Sequence, residues 1–66
     1  MNLKINGENR NVEASSTVSD LLRYLGLATD GIAVSLNGAI IPRSQLTEQP
    51  IGEGDAIEIV RAVGGG

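Results

Sequence analysis

Cysteine and histidine are absent from this 66-residue sequence, and so are tryptophan and phenylalanine. Without Cys there is no disulfide, thiolate nucleophile, persulfide or zinc–thiolate site. Without His the commonest general base and metal ligand is missing. Tyr24 is the one aromatic residue, which leaves little to stack on nucleic-acid bases. A net charge of -3 also repels phosphate backbones. No apolar run approaches the roughly 20 residues that span a bilayer, and the first residues show no signal-peptide pattern. Neither nucleic acid nor a membrane is therefore expected as a partner, and the cytoplasm is the expected location. A chain of this length makes one domain at most. Such a domain buries only about 60% of the surface its unfolded chain exposes, so little volume is left to enclose a substrate. These exclusions favour a binding or carrier module over an enzyme.

Hydrophobic periodicity supplies the elements. Met1-Asn2-Leu3-Lys4-Ile5-Asn6 alternates apolar and polar residues, which predicts a strand with Leu3 and Ile5 facing a core. Asn6-Gly7 is a turn pair that tolerates positive φ. Val12 and Ala14 then share a face opposite Asn11 and Glu13, predicting the second strand of a hairpin. Ser15-Ser16-Thr17 offers helix caps, and Thr17 with Asp20 is a relative of the capping box. Val18, Leu21, Leu22 and Leu25 form one apolar stripe and Gly26 can end the helix, so a helix is predicted over about residues 17–25. Ile32, Val34 and Leu36 predict a strand closed by Asn37-Gly38. Ile40-Ile41 is a short apolar piece stopped by Pro42. Residues 42–50 read as an irregular connection pinned by Leu46, and Gly52–Asp55 as a turn cluster. The run 56–63 predicts the last strand, before Gly64-Gly65-Gly66.

The predicted order is β-β-α-β-β-β. One amphipathic helix can cover one face of a small mixed sheet. The simplest packing sets the first and last strands side by side and parallel in the centre. That is an α+β fold, the ubiquitin-like β-grasp, with a mixed four- to five-stranded sheet and one helix packed across it. Residues 1–63 make the domain, and 64–66 a flexible glycine tail.

The tail carries the chemistry. A run of glycines is also what a frayed end or a cloning scar looks like. Set behind a ubiquitin-like order of elements, it points to a carrier whose working group is the carboxylate of Gly66. A C-terminal carboxylate has a pKa near 3.3–3.7, so at neutral pH it is ionised and a poor electrophile. A partner has to activate it, for example as an acyl-adenylate, before it can accept sulfur. Gly64 and Gly65 have no side chain to clash with the walls of that partner's site. Fully extended, residues 62–66 span at most about 17 Å, enough to enter an active site while the domain stays outside.

Other features read as scaffold. Gly52-x-Gly54 lacks the helix and third glycine of a dinucleotide fingerprint. Glu53, Asp55 and Glu58 lack the spacing of a calcium loop, so no metal site is expected. Arg43 and Arg61 are exposed charges or partner contacts. In Ile59-Val60 one apolar residue must face outward unless a bulge turns both inside. If it does not, Val60 and Ala62 form a small apolar patch near the tail that can dock a partner.

The residues resemble a known family. Val34-Ser35-Leu36-Asn37-Gly38-Ala39-Ile40-Ile41-Pro42-Arg43, then Gly54-Asp55-Ala56-Ile57-Glu58-Ile59 and the glycine tail, are similar to the ThiS family, the sulfur carriers of thiamine biosynthesis. Thr17-Val18-Ser19-Asp20-Leu21-Leu22 is similar as well. The likeness covers nearly the whole chain. The family's diglycine end maps to Gly65-Gly66, and Gly64 is one glycine more than the minimal pattern. The resemblance implies an adenylyltransferase related to ubiquitin-activating enzymes, which uses ATP and magnesium to activate Gly66. It also implies a sulfur-transfer system that makes the thiocarboxylate, and thiazole synthase as the acceptor. Nucleotide and metal belong to the partner, and this chain binds no cofactor. Two rivals share the tail chemistry. The small subunit of molybdopterin synthase is usually longer and differs over Asn37–Arg43, and a ubiquitin-like modifier would be joined to lysines through Gly66.

Overall fold

The computed structural model describes residues 1–13, 16–28 and 30–61. Five strands and one α-helix follow the order β1 (Asn2–Ile5), β2 (Glu8–Asn11), α1 (Val18–Tyr24), β3 (Ile32–Leu36), β4 (Ala39–Ile41) and β5 (Ala56–Arg61). The strands form one mixed sheet in the order β2-β1-β5-β3-β4. β1 and β5 run parallel in its middle, with Lys4 opposite Ala56 and Ile5 opposite Ile57. The other neighbours are antiparallel. This is the predicted β-grasp.

Turn chemistry sets the two hairpins. Asn6 and Gly7 take φ of 51° and 82°, and Asn37 and Gly38 take 50° and 89°. Two consecutive residues at positive φ give the twist a two-residue hairpin needs, and Asn-Gly meets that need at the lowest steric cost. The first turn places Ile5 opposite Glu8, and the second places Leu36 opposite Ala39.

The second strand lies earlier than predicted. β2 covers Glu8–Asn11, and all four side chains are exposed. It follows directly from the tight turn rather than from apolar alternation. Val12 lies just past it and is buried; its N–H donates to the Met1 carbonyl at 2.9 Å, and the Met1 amino group donates back at 2.7 Å. Ala14 lies outside the described residues.

The helix forms where its caps and stripe predict. The Asp20 N–H donates to Thr17 Oγ1, and the Thr17 N–H donates to Asp20 Oδ2, both at 3.2 Å. The next two N–H groups of the first turn are also satisfied: Val18 donates to the Gln49 carbonyl at 3.0 Å and Ser19 to that of Leu46 at 2.9 Å. At the other end Gly26 turns left-handed, with φ 76°. Its N–H donates to the Arg23 carbonyl, and that of Leu27 to the Leu22 carbonyl, which is a Schellman closure.

Val18, Leu21 and Leu22 of the helix meet Leu3, Ile5, Val34 and Ile57 of the sheet, with Val12 and Leu46 completing the core. The 42–50 connection is more ordered than predicted: Arg43–Gln45 makes a single 3₁₀ turn, and Leu46 is buried as predicted.

Candidate functional site

Strand β5 alternates, and its two faces differ. Ile57 is buried and Ile59 half-buried on the helix side, while Glu58 and Val60 are exposed on the other. The register with β3 is unbroken from Leu36–Ile57 to Ile32–Arg61, so no bulge turns Val60 inward. Val60 sits opposite Ala33, and Glu58 opposite Ser35, which in turn faces Ile40 of β4. Together Ala33, Ser35, Ile40, Glu58 and Val60 line a shallow depression on the open face of the sheet. Val60 is 60% exposed and Ile40 77%. These two large aliphatic side chains stand in water on either side of β3, on one face of the sheet.

Ile40 was read from the sequence only as part of a short apolar piece. The signal was there: in Ile40-Ile41 one side chain had to face outward by strand alternation. Ile41 packs against the core, and Ile40 does not.

The predicted cationic contacts separate. Arg43 lies on the 3₁₀ turn and pairs with the Asp30 carboxylate. Arg61 ends β5 and is exposed, on the helix side of the sheet and away from Val60. The structure therefore does not gather Arg43, Arg61 and Val60 into one patch. Ala62, Gly64, Gly65 and Gly66 lie outside the described residues.

Polar side chains hold β5 in place at both ends. The Ile59 N–H lies past the paired stretch of β1 and donates to Asn6 Oδ1 at 2.8 Å. The Ala56 N–H donates to Asn37 Oδ1 at 2.9 Å, and Asn37 Nδ2 donates to Asp55 Oδ1 at 3.1 Å. Asp55 Oδ2 accepts from the Gly52 N–H at 2.8 Å. The two asparagines that shape the hairpin turns thus also replace missing ladder partners on the central strand. Among the described residues, no three acidic side chains come together as a metal site would require. No described helix is long and apolar enough to cross a membrane.

The family model for the ThiS family matches residues 3–66. Over all 66 residues the chain is 46% identical to a thiazole synthase of Paramagnetospirillum magneticum and spans about 20% of that protein's length. It is 30% identical to the sulfur carrier protein ThiS of Escherichia coli, with both chains covered in full. The crystal structure of the thiamine biosynthesis protein ThiS from Geobacter metallireducens superposes with a TM-score of 0.84 at 33% identity, again over the whole of both chains.

Proposed function

This chain belongs to the ThiS family, and from that premise we propose that it is a sulfur carrier of thiamine biosynthesis, a co-substrate of its partners and not itself an enzyme. The observation that carries the reading is that the family match runs through Gly66, so it takes in the glycines as well as the β-grasp domain.

The chemistry follows from the carboxylate. An oxygen of the Gly66 carboxylate attacks the α-phosphorus of ATP on an adenylyltransferase, and pyrophosphate leaves with the electrons of the broken P–O bond. Hydrosulfide supplied by the sulfur-transfer system then attacks the acyl-adenylate carbonyl, AMP leaves with the electrons of the broken C–O bond, and the sulfur loses its proton to water. The resulting thiocarboxylate donates its sulfur to thiazole synthase. ATP and magnesium are bound by the partner, and the reactions take place in the cytoplasm. The chain's own contribution is positional. Gly64 and Gly65 offer the narrowest possible backbone to a confining channel. The Ile40–Val60 face gives the partner something to hold while the tail is inside.

Thiazole synthase as acceptor is supported by the 20% of two thiazole synthases to which this chain is similar. Joining a donor and its acceptor in one polypeptide raises their effective concentration without any new contact.

Intact-mass analysis tests the proposal, after incubation with ATP, magnesium, a cognate adenylyltransferase and a sulfur donor. One oxygen of the chain should be replaced by one sulfur. Deleting Gly66, or replacing Gly65 by Val, should abolish or strongly slow this. Deletion withdraws the carboxylate by about 3.3–3.6 Å, far beyond the tolerance of in-line attack. A truncated chain activated at the wild-type rate would disprove the role of Gly66.

A further inference from the structure

On the helix side of the sheet a half-open cavity of about 320 Å³ lies between the end of α1 and the ends of β1, β3 and β5. Its apolar lining is Ile5, Leu25, Leu27, Ile32 and Ile59. All but Ile5 are only partly buried, so the described residues leave the core partly uncovered here. Three polar side chains line it as well: Arg10, Arg61 and Asn6.

Its charge is unlike that of the rest of the chain. The protein has eight acidic and five basic residues. Two of those five cations line this cavity, and none of the eight acidic side chains does. Neither Arg10 nor Arg61 has an ion-pair partner among the described residues. Asn6 is oriented by its bond from the Ile59 N–H to Oδ1, which leaves its Nδ2 hydrogens to donate elsewhere.

We propose that this groove is a docking site for an acidic–aliphatic peptide segment of a partner protein, with one branched or long aliphatic side chain on the Leu25–Leu27–Ile32–Ile59 floor and flanking carboxylates on Arg10 and Arg61. The volume suits one or two side chains rather than a whole small molecule, standing at the low end of ligand pockets. Guanidinium groups bind carboxylates in bidentate fashion, which fixes the peptide's register as well as its charge. A nucleotide is a poorer fit, because no aromatic side chain lines the groove to stack on a base. A fatty acid is poorer too, because the groove is open rather than tunnel-like. Strand alternation puts this site on the opposite side of β5 from Val60, so it can be occupied together with the open sheet face. The proposal does not depend on the sulfur-carrier reading.

Amide NMR of the full chain tests it, using the acetylated and amidated pentapeptide Glu-Glu-Leu-Glu-Glu at concentrations up to ~1 mM, the weak end of the affinity scale. Shifts should be confined to the groove, centred on Arg10, Leu25, Leu27, Ile32, Ile59 and Arg61. Replacing the peptide's Leu by Ser should weaken binding about fivefold, and replacing its Glu residues by Lys should abolish it. The double variant Arg10→Glu, Arg61→Glu should lose at least about tenfold in affinity with an unchanged melting temperature. If that variant melts early, raising salt on the unmodified chain gives the same reading, as a loss of several-fold through screening. Four results would overturn the proposal: no shifts at the highest concentration, shifts centred on Ile40 and Val60, equal binding of the Ser peptide, or stronger groove shifts from AMP or decanoate.

Discussion

The two faces of β5 share a backbone, yet they meet different surroundings. On one face Ile57 is fully buried and Ile59 half-buried, against the helix and β1. On the other Val60 stands 60% exposed, across β3 from Ile40. Burying an aliphatic side chain stabilises the fold by about 1.5–3 kcal/mol. Val60, at 60% exposure, contributes little of that. The difference shows that apolar character alone does not say whether a residue serves folding or contact; the parity of its position in the strand decides.

The largest effect should come from breaking the inner face. Ile57→Ala removes a side chain with no exposure from the centre of the core. The expected loss is about 2–5 kcal/mol. A domain of this size has only about 3–10 kcal/mol to lose, so the variant should be partly unfolded at 37 °C by circular dichroism. A melting temperature within a few degrees of wild type would mean that β5 does not organise the core.

A smaller effect should distinguish the two ends of the strand. Asn37→Asp keeps an oxygen for the Ala56 N–H but turns the donated bond to Asp55 into a like-charge contact. Asn6→Asp keeps the oxygen for the Ile59 N–H, with no carboxylate hydrogen-bonded to it among the described residues. Urea melts should show Asn37→Asp losing about 1 kcal/mol and Asn6→Asp less than half of that. Added salt should narrow the gap. Equal losses would mean that Asp55 does not sense residue 37.

The smallest effect on stability should come from the outer face. Val60→Glu places a charge where water already is, and the melt should shift by no more than about 0.5 kcal/mol. The same substitution should slow activation by the adenylyltransferase, measured as pyrophosphate release. Unchanged stability together with unchanged activation would remove the contact role of this face.

Much of this comparison was legible in the residues. The Thr17 cap, the Val18–Leu22 stripe and the Gly26 stop are local signals, and they produced the helix and its contribution to the core. The Asn-Gly pairs marked both hairpins. β2 was misplaced because Glu8–Asn11 has no apolar alternation to read; its pairing is imposed by the turn and the edge position. The 3₁₀ turn at Arg43–Gln45 is too short to leave a periodic trace. Ile59-Val60 stayed ambiguous because the register with β3, which leaves no room for a bulge, is not written in the local sequence. Arg10 went unnoticed for a different reason: the groove joins five separate stretches of sequence, and only the folded sheet brings them together.

The position of β5 also governs how the molecule comes into being. It is the middle strand of the sheet but the last of the described strands to leave the ribosome, and it pairs with β1, at the opposite end of the sequence. Until it emerges, β1 and β3 have no common neighbour, Ile57 is missing from between them, and the helix has half a floor to rest on. Contacts between such distant stretches slow folding relative to local ones. A ribosome that stalls before Ala56 therefore releases an open-edged fragment fit for proteolysis. Completing the sheet requires synthesis to have passed Arg61, within a few residues of the glycines.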